Sequence, residues 1–125
     1  MDRTGPKRTD SYWAGFVDAD GCIRFSKGTP RIEVKSVFPY VLLEICERFG
    51  GRVRRIANEE RPTYVWQVTG TNAYNALIAL EPHMVVKKAQ ATLILDACMV
   101  DPGGYREGLE GQIAALKHHH YEVEV

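Results

Sequence analysis

The run Ser11-Tyr12-Trp13-Ala14-Gly15-Phe16-Val17-Asp18-Ala19-Asp20-Gly21 carries an apolar helix into two carboxylates and a glycine, and Cys22-Ile23-Arg24-Phe25 then switches to strand alternation. Carbonyls left unpaired at a helix C-terminus carry partial negative charge, so Lys, Arg or His is expected there and acids are disfavoured. Departures from a local rule gather at functional sites. Two acids held against the dipole require a compensating cation, and a divalent metal ion is the most compact one.

A chain of 125 residues makes one domain with a real core. Its 45% hydrophobic and 26% charged content is that of a globular protein rather than a disordered or fibrous one. No apolar run reaches the length of a membrane span, and the first eight residues lack a signal-peptide core. Cys22, Cys46 and Cys98 are odd in number and sit in apolar stretches, which reads as reduced thiols and an intracellular setting. The net charge is zero, but residues 1–61 hold twelve Lys+Arg against nine Asp+Glu (+3), and residues 62–125 hold four against seven (−3). The basic excess falls where strands are expected, so a neutral protein can still present a cationic face.

The pattern divides into a polar arm over 1–9, a core domain over 10–101 and a C-terminal helix and tail over 102–125. Thr9 or Asp10 caps a helix over 10–20, and Gly21 stops it in the left-handed conformation. Residues 22–27 and 31–37 alternate around Gly28-Thr29-Pro30 as a hairpin. Pro39 opens a second helix that Gly50-Gly51 ends. A second hairpin pairs 52–57 with 63–69 across Asn58-Glu59-Glu60-Arg61-Pro62. Helices follow over 72–81 and 85–100, the latter with Val86, Ala89, Leu93 and Ala97 on one stripe. After the break at Asp101-Pro102-Gly103-Gly104, a short helix is expected over 105–118. The result is an α+β domain with a four-stranded antiparallel sheet and helices on one face. Ile23, Phe25, Ile32, Val34 and Val53 then face the helices, while Arg24, Ser26, Arg31, Glu33, Lys35, Arg52 and Arg54 face away. Tyr64, Trp66 and Val68 fall on one face of the last strand, Val65 and Gln67 on the other.

Asp18-Ala19-Asp20-Gly21 does not begin an EF-hand, because Cys22, Ile23 and Thr29 stand where that loop needs a ligand, a glycine and a bidentate Glu. Trp13-Ala14-Gly15-Phe16-Val17-Asp18-Ala19-Asp20-Gly21 instead resembles the signature of the LAGLIDADG homing endonucleases, with Trp and Phe for Leu and Val for Ile. The expected αββαββα order around it agrees, so the resemblance covers nearly the whole chain.

The resemblance implies a homodimer, since only one motif copy is present, with the helices packing across a two-fold seam at Trp13, Ala14, Phe16 and Val17. Ala14 and Gly15 lack the bulk that would hold the backbones apart. It further implies that the two Asp20 side chains meet and hold Mg²⁺, with Gly21 contributing to the metal site and Asp18 supporting the helix end or solvating the site rather than ligating the metal. Lys87, with Lys88 as the alternative, matches the family's basic residue beside this centre, and Ser36 matches a polar residue that lines it, though it is shorter than the usual Gln or Asn. Double-stranded DNA would lie along the open sheet, on Arg24, Ser26, Arg31, Glu33, Lys35, Arg52, Arg54 and Gln67 or Asn58. The activity implied is site-specific double-strand cleavage, and the alternative is a binding module of the same fold. His118-His119-His120 points around a helix rather than at one centre and reads as a solvated helix end or tag fragment. Trp13 and Trp66 read as packing residues.

Overall fold

The computed structural model of the chain describes residues 8–57 and 60–99. Helix α1 (Asp10–Asp20) leads into strands β1 (Gly21–Ser26) and β2 (Thr29–Ser36), followed by α2 (Pro39–Phe49). Strands β3 (Arg52–Arg55) and β4 (Tyr64–Thr69), helix α3 (Gly70–Leu80), a 3₁₀ turn at Glu81–His83 and α4 (Lys88–Met99) complete the order. The strands form one antiparallel sheet in the order β1-β2-β4-β3, with both hairpins meeting at its centre. Among the described residues this is the expected α+β architecture. The break at 101–104, the helix over 105–118, the histidine run, the arm before Arg8 and Asn58 lie outside them.

Helix α1 starts where Thr9 Oγ1 accepts the Tyr12 N–H at 3.2 Å, so Thr9 rather than Asp10 is the cap. Gly21 does not stop the helix in the left-handed region; its φ of −89° is already that of the strand. Glycine is needed there for space, because a Cβ would stand 2.7 Å from the Val17 carbonyl oxygen. The first hairpin turns at Lys27-Gly28, both at positive φ (53° and 76°), and Thr29-Pro30 already belong to β2. Two left-handed residues match the twist of a two-residue hairpin, which a turn through Pro30 does not.

One face of the sheet is the core face. Ile23, Phe25, Ile32, Val34, Trp66 and Val68 are buried against Leu42, Ile45, Leu77, Leu80 and Ile94 of the helices. Trp66 anchors this layer: its ring is fully buried and its indole N–H donates to the Gly50 carbonyl at 2.8 Å. That bond satisfies the polar end of a side chain whose truncation typically costs about 3–5 kcal/mol.

Two expectations for α4 fail together. The helix begins at Lys88 rather than 85, and its buried positions are Gln90, Ala91, Ile94 and Ala97, so Val86 and Ala89 are exposed. Residues 85–87 precede the helix, and their N–H groups donate to the Asp18 carboxylate at the end of α1.

Candidate active site

The end of α1 meets the start of α4, and the two exchange charge. The Asp18 carboxylate, 8% exposed, accepts three successive backbone N–H groups, from Val85 at 2.8 Å, Val86 at 2.9 Å and Lys87 at 2.7 Å. Successive N–H groups that converge in this way make an anion-binding concavity. In return the Lys87 ammonium donates to the Asp18 carbonyl at 2.5 Å. Among the described residues α1 has no basic residue in its own last turn. Lys87 therefore supplies from α4 the cation that the dipole of α1 requires. Burial pushes the Asp18 carboxyl upward, but the three N–H groups and the Lys87 charge outweigh it and leave it below its ordinary value.

Asp20, two residues on, is exposed, and among the described residues no hydrogen bond or ion pair engages it. The Lys87 contact brings an ammonium to the same helix end. Ser36 stands two residues past the Gly21↔Val34 pair, so it lies at the same end of the sheet as Asp20. Its Oγ accepts the Phe38 N–H at 3.0 Å, and its hydroxyl is thereby tied to the turn into α2. Among the described residues no group of three His, Cys, Asp or Glu side chains is placed to hold a metal ion. With both Asp18 oxygens occupied by N–H donors, one chain offers the single Asp20 carboxylate, a hard oxygen donor suited to Mg²⁺ but only part of a ligand set.

The register places the predicted polar residues on the sheet face away from the helices. Cys22, Arg24 and Ser26 of β1 stand beside Arg31, Glu33 and Lys35 of β2, which stand beside Thr69, Gln67 and Val65 of β4, with Arg52 and Arg54 of β3 at the edge. Arg24 lies directly opposite Arg31, a like-charge pair that weakens a sheet on its own. Glu33 offsets it partly, at 3.7 Å from Arg31, and Arg24 donates to the Cys22 sulfur at 3.3 Å. Five cations against one acid on one open face form a surface that suits a polyanion. Val65 is buried even here, with Lys35 and Arg54 opposite it on the flanking strands, where long aliphatic stems shield apolar surface.

The expected seam residues are only partly at the surface. Trp13, Ala14 and Val17 pack into the chain's own core and cannot meet a second copy; Phe16 is half-buried. Helical periodicity turns these side chains inward, because the apolar stripe of α1 is what covers the sheet. The outward stripe is Tyr12, Gly15 and Ala19, with Phe16 at its margin. A Cβ added at Gly15 would meet nothing within 4 Å. Lack of bulk singles out Gly15 in the sequence, but the motif alone does not separate inward from outward residues.

The fold and the motif define one class: the chain has the α+β fold of the LAGLIDADG homing endonucleases, with that family's signature on α1 and its acids at the helix end. It superimposes on the homing endonuclease I-CvuI, solved in complex with its target in 2 mM Ca, with a TM-score of 0.74 at 26% identity, covering 86% of this chain and 80% of that one. A second I-CvuI structure, with the I-CreI target uncleaved in 2 mM Mg, gives 0.72 at 25% identity over the same shares. The archaeal intron-encoded homing endonuclease I-Vdi141I, complexed with DNA, shares the fold with a TM-score of 0.54 at 21% identity, over 87% of this chain and 96% of that one. No protein-family model and no curated protein matches the sequence. Among the described residues no helix is long and apolar enough to cross a membrane.

Proposed function

We propose that two copies of this chain assemble through the outward stripe of α1 into a divalent-metal-dependent endonuclease, which cuts both strands of duplex DNA at a long, nearly palindromic site. The observation that carries this reading is the position of Asp20. It is exposed and unengaged among the described residues, at the tip of a helix whose outer surface is flattened by Gly15. A two-fold axis along that surface brings two Asp20 carboxylates together, and carboxylates that close do not both ionise without a cation between them. Asp20, with the Gly21 backbone beside it, would hold Mg²⁺, which when bound activates water and neutralises charge on the departing oxygen. Lys87 supplies a fixed positive charge at the same helix end for the scissile phosphate. The cationic sheet face positions the duplex through its phosphates, with Gln67 and the arginines available to base edges. I-CvuI, solved on its DNA target, supports the same assignment of ligand class.

The test is a cleavage selection on a randomised duplex library in Mg²⁺. Wild-type protein is expected to yield ends, and Asp20→Asn to bind the selected duplex without cutting it. Undiminished cleavage by that variant refutes the metal role. Engagement of Ser36 Oγ by the Phe38 N–H favours a second reading, a binding module that retains the duplex and never produces ends.

A further inference from the structure

We infer that Asp18 is a positioning residue: by clasping the peptide from Val85 to Lys87 it fixes the Lys87 ammonium at the Asp20 end of α1. The inference rests on the nuclease reading above and adds to it a role for the acid that does not face the metal. An ordinary helix-capping acid serves the helix it precedes. Asp18 closes instead on a segment 67 to 69 residues away, and it takes three consecutive N–H groups on two oxygens. The segment Met84-Val85-Val86-Lys87 has no Ser, Thr, Asp or Asn of its own to hold it before α4 begins. The contact is also two-way, since the Lys87 ammonium returns to the Asp18 carbonyl at 2.5 Å. Main chain and side chain of Lys87 are thus tied to one residue, two positions before Asp20. A lysine carries four rotatable bonds, and holding its backbone by the adjacent acid confines where the ammonium can reach. Met84 anchors the start of the segment in the core, while Val85 and Val86, 82% and 51% exposed, are tied by this clasp and not by apolar burial of their side chains.

The role predicts a coupling that a purely structural acid lacks. Single-turnover cleavage of the library-selected duplex is measured for wild type, Asp18→Asn, Lys87→Met and the double variant, well below each unfolding midpoint. Affinity for the same duplex is measured without divalent metal. Asp18→Asn is expected to slow cleavage roughly ten- to hundredfold, the scale of a misplacement of about an ångström, with affinity unchanged. The double variant is expected to be no slower than Lys87→Met alone. Amide exchange at residues 85–87 is expected to accelerate in Asp18→Asn. Asp18→Ser, which keeps an oxygen for one N–H, gives the same comparison if the Asn variant folds poorly. Multiplying rate losses in the double variant, or unchanged cleavage despite faster amide exchange, overturn the positioning role and leave the nuclease reading standing. A wild-type protein that binds duplex but yields no ends overturns the nuclease reading and this role with it.

Discussion

Replacing Gly15 by Ala separates the packing of α1 within the chain from the seam proposed for its outer surface. Glycine in a helix interior costs roughly 0.5–1 kcal/mol relative to Ala, and the new methyl meets nothing within 4 Å in the single chain. The isolated fold should therefore gain about that much, which for a domain of this size raises the unfolding midpoint by roughly 2–8 °C. In the proposed dimer the same methyl enters the seam once from each copy. Overpacking of a close contact costs roughly 1–3 kcal/mol, so the dimer constant should weaken by at least about fivefold. Sedimentation over a concentration series gives the dimer constant, and thermal unfolding at the lowest concentration gives the stability of the fold. The expected signature is opposite signs: a more stable chain that associates less. A stabilised chain that dimerises as tightly as wild type places the seam elsewhere and refutes the reasoning, as does a wild type that never associates.

Further outcomes test other parts of the fold. Asp18→Ala should destabilise by about 1–3 kcal/mol at neutral pH, because three N–H groups lose their charged acceptor. The folded-state carboxyl lies below its ordinary 3.8, so this stabilisation is complete above that pH and fades as pH falls through the lowered value; denaturant midpoints of wild type and variant should converge in acid. Gln90→Met should stabilise by about 1 kcal/mol in a urea titration, since the buried Gln90 Oε1 has no hydrogen-bond partner among the described residues. Arg52→Ala and Arg54→Ala should each lower the slope of log affinity against log salt by about one for every phosphate the arginine neutralised, measured by anisotropy on duplex DNA.

The frame of the fold was legible because the local signals agreed with one another. Pro39 at a helix start, Gly50-Gly51 at its end and the alternation through β1, β2 and β4 each coincide with the structure. The two faces of the sheet followed from period-two alternation alone. The failures came where tertiary contacts overrode local pattern. Residues 85–87 read as helix because Val86, Ala89, Leu93 and Ala97 fit a helical stripe, but in the fold they precede α4 and give their N–H groups to a distant carboxylate. Trp13, Ala14 and Val17 read as a seam because they carry the motif, yet a motif does not say which side of its helix is already covered. Gly21 was legible as indispensable, but for a left-handed cap rather than for its approach to Val17. Lys87 was placed beside the acids of α1 only by the family resemblance; local pattern does not show that Asp18 is met by a residue 69 positions further along the chain.

That contact also sets when the site comes into being. The Asp18 clasp on Lys87 spans 69 residues, and closing a loop of that length costs on the order of 4 kcal/mol in chain entropy. A chain that ends before α4 carries every cation of the sheet face but lacks Ile94 and Ala97, which cover the core side of that sheet. The order of synthesis makes the clasp a completion signal: the site is assembled only in a chain whose first and last described helices have found each other.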